Sequence, residues 1–352
     1  MEENLLLFLF AAAPVLLLAL VALFFLRLLP RIRHRRVLSL VTGNLLVTLL
    51  LLSLVVFLGE FYVRYRYDAT DSFGLTRTTA DWFERHWQTN SDGFRDSQDY
   101  YPQIAPGHRR ISLIGDSFTA GHGVPDVEDR FANRLRAAHP DLEVHALARP
   151  GWDTGTHLDV VQFLGNSGYE WDLVVLVYCL NDISDIIPEW QRVLHRIYKA
   201  PKPGFLVRNS YLFNLLDARL RAAREPQISD YYSMVRTGYE GRQWDVQQQR
   251  LAMIEQSVRE TGGRLLVVTF PFLHALDGDY EYADVHEQLN RFWKSRDVPH
   301  LDLLQTFESM TADELIVSRY DVHPNERAHA LAAEAIGEFV MRHLNASESA
   351  KQ

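Results

Sequence analysis

Two uncharged apolar runs near the start of this chain, Leu5 to Leu26 and Val37 to Gly59, restrict its fold more than any other stretch. As helices rising ~1.5 Å per residue, both runs are long enough to cross the ~30 Å hydrocarbon core of a bilayer. The leader Met-Glu-Glu-Asn carries no positive charge, and no small-x-small site precedes the arginines, so the first run is expected to be a retained span rather than a cleaved signal peptide. Between the runs lie Arg27, Arg31, Arg33, Arg35 and Arg36, while Glu2 and Glu3 precede the first and Glu60 follows the second. The positive-inside bias puts that loop in the cytoplasm, and two spans return the chain to its starting side. Everything after residue 60 is then expected outside the cytoplasm, with the bilayer contacted through residues 5–58. Tyr62, Tyr65 and Tyr67 suit the headgroup zone there.

The rest of the 352 residues is long enough for one large domain. Apolar residues at 47% and charged residues at 23% are ordinary for a folded globular chain. The single cysteine, Cys179, excludes an intramolecular disulfide and a cysteine-based zinc cluster. The formal net charge is −9; the first 59 residues hold five Arg against two Glu, or +3, which leaves −12 for the remainder. An acidic domain of this kind argues against a nucleic-acid partner.

Residues 61–107 are polar, aromatic and irregular, with a turn-like stretch from Asn90 to Arg95, and are expected to form a connector packed on the large domain. Short β-rich runs then alternate with helical patterns. The runs are Ile111 to Ile114, Leu142 to Leu147, Leu173 to Cys179, Leu265 to Phe270 and His300 to Leu303. The helices are expected at Asp129 to Ala138, Thr156 to Gly165, Asp245 to Thr261, Tyr282 to Ser295 and Glu326 to Leu344. Such alternation implies a parallel sheet, and the run Val174 to Val177, apolar on both faces, reads as a strand covered on both sides. An insertion at 183–243, with Pro188, Pro201, Pro203 and Pro226, reads either as a rim over a site or as a surface excursion. The expected boundaries are 1–60, 61–107 and 108–345, with a frayed tail at 346–352.

In an open parallel sheet, ligands gather beyond the carboxyl ends of the strands. After the first run stands Gly115-Asp116-Ser117, where Ser117 reads as a nucleophile at a helix N-terminus or as a plain helix cap. After the second comes Gly151, and after the third Asn181 and Asp182. Near the end stands Asp321-Val322-His323-Pro324-Asn325, a carboxylate beside an imidazole on a loop entering the last helix. His122, His145 and His157 are too scattered to read as ligands, His329 reads as structural, and Trp152 and Trp171 read as packing. Asp116 and Asp182 are expected to brace loops through backbone hydrogen bonds.

Together these residues resemble the SGNH hydrolases, also called GDSL esterases and lipases, over roughly Arg110 to Leu344. The match rests on Gly-Asp-Ser at 115–117, Gly151, Asn181-Asp182 and His323-Pro324-Asn325. Three positions depart from the family pattern: Cys179 replaces a glycine, Phe118 replaces a leucine, and the acid lies two rather than three residues before the histidine. The resemblance implies a flavodoxin-like three-layer αβα sandwich with a five-stranded parallel sheet, here behind a two-helix transmembrane hairpin.

The chemistry it implies is serine esterolysis. An alcohol is a weak nucleophile at neutral pH, so Ser117 needs a base, and His323 has a suitable pKa. Asp321 would fix the imidazole tautomer, with Asp302 as the competing acid. Oxyanion donors would be the N–H groups of Ser117 and Gly151 and the side-chain amide of Asn181. No cofactor or metal is required. The expected activity is a membrane-anchored esterase outside the cytoplasm, removing acyl or O-acetyl groups from a glycan, lipid or small ester. The alternatives are an O-acyltransferase of the same fold acting on an envelope polysaccharide, and a noncatalytic glycan-binding assembly factor.

Overall fold

In the computed structural model the chain is described over residues 2–32, 34–199, 202–224 and 230–349. These residues fall into two compact units: Met1–Ala69, Gly74–Trp82 and Ala200–Glu225 in one, and Thr70–Phe73, Phe83–Lys199 and Pro226–Gln352 in the other.

The first unit contains the apolar runs. They form helices at Glu2–Ile32 and Arg36–Tyr65, each long and apolar enough to cross a membrane, and only 11% and 6% of their most apolar windows are buried. A leucine-rich surface left this open has no protein core to fill, which is what a lipid-facing helix requires. The two helices pack on each other, with Phe24 buried where Gly43 leaves room for its ring. The first helix passes through a π-helical turn at Phe24–Leu28.

The second unit is built on strands β1 (Arg109–Gly115), β2 (Leu142–Ala148), β3 (Leu173–Cys179), β4 (Arg264–Phe270) and β5 (His300–Asp302). All are parallel, in the order β2-β1-β3-β4-β5. This is the flavodoxin-like order, and its direction reverses at β1 and β3. The helix Phe131–Ala138 joins β1 to β2 and packs on the last helix, Glu326–Ser349; the helix Thr154–Asn166 joins β2 to β3 and packs on Gly241–Glu260. Because these two connections run in opposite directions along the sheet, right-handed crossovers send their helices to opposite faces. β3 lies in the middle and every one of its residues is buried. Burying a Val or Leu side chain of this kind contributes roughly 1.5–3 kcal/mol, so the central strands anchor the layer from which the site loops emerge.

Several expectations need correction. The region 61–107 contains the end of the second long helix and a further helix at Arg77–His86, whose buried Thr78, Thr79 and Trp82 make one face that its polar composition hides. The insertion is helical: Pro188–Lys199, Phe205–Asn209, Tyr211–Arg224 and Tyr231–Gly238. It is also divided, since Ala200–Glu225 belongs to the unit of the long helices while its two ends belong to the sheet unit. The stretch carrying Asp321 and His323 is a strand rather than a loop: β6 (Ile316–Ser318) and β7 (Asp321–Pro324) form a small antiparallel pair. The last helix continues through Ser349, past the expected end at Leu344; the remainder of the tail lies outside the described residues.

Candidate active site

Ser117 opens a one-turn helix directly after β1. The exit is tight, because a Cβ on Gly115 would meet Thr119 Oγ1 at 2.1 Å and the Val177 carbonyl at 3.0 Å. Asp116, not Ser117, caps the helix, accepting from the Phe118 N–H at 2.9 Å. That leaves the Ser117 hydroxyl available, and it lies 2.8 Å from His323 Nε2. On the other side of the ring, His323 Nδ1 lies 2.5 Å from Asp321 Oδ1. Both groups are on β7, where residues two apart share a face. The two-residue offset that departs from the family spacing is therefore the natural one for an extended segment. Asp302, the competing acid, is engaged elsewhere, 2.8 Å from His286 Nδ1 and 3.2 Å from Asn290 Nδ2.

The second oxygen of Asp321 is held from Thr70–Phe73, a short segment of the same compact unit. Thr70 Oγ1 donates to Asp321 Oδ2, and Ser72 pairs with β7 through its N–H to Tyr320 O and its Oγ from Val322 N. His122 Nε2 lies 3.4 Å from the same oxygen. Its ring stacks on that of His323, with centroids 4.1 Å apart and planes 18° from parallel. Sequence reasoning read His122 as scattered and missed it. The available signal was Gly121 and Gly123, whose positive φ values of 74° and 84° turn the chain back after the one-turn helix. Arg95 fixes this turn, donating to the carbonyls of Gly121 at 2.5 Å and Val124 at 2.6 Å. The donor atoms of His122, Asp321 and His323 fall within 4.8 Å of one another, but near-parallel rings aim their lone pairs along parallel planes rather than at one point. That geometry suits orientation of a carboxylate rather than chelation.

Electrostatics follow from burial and charge. Burial alone would raise the Asp321 pKa, but the His323 charge and the bonds from His122 and His323 hold it well below the usual carboxylate range. For His323 burial acts downward, and the Asp321 carboxylate overcomes it, raising the imidazole above its ordinary value. His122 is pushed the other way by burial and by the His323 charge, which keeps it neutral. Asp116, raised chiefly by its burial, sits 3.4 Å from Asn181 Nδ2.

Gly151 and Asn181 follow the ends of β2 and β3, the two neighbours of β1, so the three expected oxyanion donors share one sheet edge across the reversal point. Gly151 has a φ of 80°, with open space where a side chain would stand. Cys179 ends β3 with a φ of −99°, a conformation any residue adopts, so the missing glycine costs nothing there. Phe118, the other departure, packs edge-on against His323 and Phe270, each with centroids 5.5 Å away. Asp182 accepts from the Cys179 N–H at 3.1 Å, so it and Asp116 brace their loops as expected. Tyr231, from the last part of the insertion, is buried, which pushes its phenol above the ordinary value. Its ring packs on Trp190 and Phe73. The other three histidines singled out above serve the structure: His145 bonds the Tyr169 hydroxyl, His157 is buried beside Asp182, and His329 accepts from the Phe131 N–H.

A serine, a histidine and an aspartate in hydrogen-bonded series beyond the carboxyl edge of a parallel sheet define a hydrolase of the serine type. The model of the GDSL-like lipase/acylhydrolase family matches residues 113–331. The chain therefore belongs to the GDSL-like lipase/acylhydrolases, serine hydrolases that act on ester bonds. None of the curated proteins matches it. Among solved structures, a lipolytic G-D-S-L protein from Veillonella parvula is similar at 16% identity and a TM-score of 0.42, covering 65% of this chain and 97% of its own. A psychrotrophic esterase from Pseudoalteromonas is similar at 14% identity and a TM-score of 0.41, covering 67% and 99%.

Proposed function

We propose that the protein is a membrane-anchored esterase whose catalytic unit faces away from the cytoplasm and which removes acyl groups, including O-acetyl, from a glycan, lipid or small ester. The observation that carries this reading is the continuous series Ser117 Oγ, His323 Nε2, His323 Nδ1, Asp321 Oδ1. In it, His323 accepts the Ser117 proton as the oxygen attacks the ester carbonyl, and Asp321 holds the ring in one tautomer and stabilises its charged form. Negative charge on the carbonyl oxygen is met by the N–H groups of Ser117 and Gly151 and by the Asn181 amide, each such donor being worth roughly 3 kcal/mol. The ester C–O bond breaks, His323 returns the proton to the leaving alcohol, and water resolves the acyl-enzyme by the same steps in reverse. The arginine-rich loop between the two long helices supports the proposed orientation.

The test is labelling of the purified full chain with a fluorophosphonate, comparing wild type with Ser117→Ala, followed by esters of increasing acyl length. Labelling confined to wild type is expected, with free acid released when water is the sole acceptor. Release only when a sugar hydroxyl is supplied would turn the reading to acyl transfer, and equal labelling of Ser117→Ala would end it.

A further inference from the structure

The middle of the insertion, Phe205–Asn209 and Tyr211–Arg224, is packed on the long apolar helices, and its surface is of an unusual kind. Glu60, at the end of the second apolar run, is buried. Its carboxylate accepts from Ser210 Oγ at 2.5 Å and from the N–H groups of Tyr211 and Leu212 at 3.1 and 2.9 Å. A carboxylate at a helix N-terminus meets free N–H groups and the positive end of the dipole, so this bond set fixes the level at which the Tyr211–Arg224 helix leaves the long helices. A Cβ on Gly59 would meet Leu212 at 3.0 Å, and the Phe213 ring lies 6.2 Å from that of Phe10 on the first long helix. The helix therefore starts beside the end of the second uncharged run and the beginning of the first.

One stripe of this helix, Tyr211 and Leu215, is buried with Val63. A second stripe, Phe213, Leu216 and Leu220, follows at helical spacing, and there Leu216 and Leu220 are 43% and 53% exposed. Phe205 and Leu206 of the preceding short helix are 45% and 39% exposed. Asp217 and Arg221, one turn apart, pair along the border of this exposed stripe, and Arg219 reaches the Tyr67 hydroxyl. An apolar arc broader than its protein contact, bordered by arginines and level with the end of a span, is the pattern of an amphipathic helix lying in an interface.

We propose that residues 205–224 form an in-plane anchor that sinks Phe205, Leu206, Leu216 and Leu220 into the headgroup–acyl boundary of the bilayer spanned by the two long helices. Its occupant is phospholipid, because the exposed stripe is continuous with helices whose own surface faces lipid. The inference rests on the membrane-spanning reading.

The test uses the full chain in proteoliposomes with single cysteines carrying an environment-sensitive fluorophore; the native Cys179 is fully buried and stays unlabelled. Probes are placed at Leu220→Cys, at Arg221→Cys about 100° round the helix from it, and at Leu51→Cys within the second long helix. Shallow nitroxide lipids are expected to quench the position-220 probe several-fold more than the position-221 probe, while deep nitroxides quench position 51. Equal weak quenching at 220 and 221, with position 51 quenched, overturns the anchor and leaves the spans standing. No quenching at 51 removes the spans and the anchor together. A position-220 probe shielded from aqueous iodide but untouched by lipid nitroxides means a protein occupant, and overturns the lipid assignment.

Discussion

Asp321 and His323 are neighbours on one face of β7, and that placement governs the sharpest tests at the scale of single residues. Asp321→Asn is expected to lower turnover by about 10²- to 10⁴-fold through a wrong tautomer and an unstabilised imidazolium. Asp302→Asn should leave the chemistry nearly unchanged, because its carboxylate serves His286 and Asn290; steady-state kinetics of the two variants decide between the acids. Asn181→Ala is expected to keep KM while losing about 10²-fold in kcat as one oxyanion donor disappears. The pH dependence has a defined sign. His323 acts as a base only when neutral, and its pKa lies above the ordinary 6.5, with burial opposing and Asp321, Asp116 and Asp71 raising it. The acidic limb of kcat/KM should therefore fall above pH 6.5, with His122 stacked alongside but uncharged. Removing the negative charge in Asp321→Asn takes away the largest raising influence, so the residual activity should show that limb at lower pH. A limb that stays in place would separate Asp321 from His323.

At the scale of elements, the turn after the one-turn helix is held between two others. A Cβ on Gly123 would lie 2.6 Å from Val317 Cγ2 on β6, at a φ of 84°. Gly123→Ala is expected to destabilise by about 2 kcal/mol, combining the cost of a left-handed conformation with overpacking, seen as a lower thermal midpoint. Val317→Ala added to it should recover the steric part and leave the backbone part. The same turn presents His122 to Asp321, so the single variant should also lose turnover beyond what its stability loss explains. The strands β6 and β7 have three and four residues, too short for period-two alternation to stand out, and only pairing across the turn between them makes them strands.

For the molecule as a whole, the consequential prediction is topology. In the proposed topology the arginine-rich loop between the long helices is cytoplasmic, so a phosphatase fused after residue 70 should be active and one fused at residue 33 inactive. The reverse pattern would put the esterase on the other side. Within the sheet unit, the segment Thr70–Phe73 holds Asp321 and pairs with β7. Thr70→Val should thus impair turnover without disturbing the sheet, a change that circular dichroism and kinetics read separately.

The two long apolar helices, the five strands in their order along the chain, and the placement of Ser117, Gly151 and Asn181 just after strand ends were all legible in the amino-acid sequence. These follow from local rules, since hydrophobic runs and turn residues act over a few positions. Ser117 and His323, the proposed nucleophile and base, could also be picked out, because each stands in a short motif. It took the folded chain to decide that Asp321 rather than Asp302 reaches His323, that His122 and Thr70 join the acid, and that the insertion is split between two units. Thr70 and Asp321 are 251 residues apart, and Ser117 and His323 are 206 apart. No periodicity links positions that far along a chain; they meet because β1 and β7 are brought to one sheet edge by the packing of everything between them.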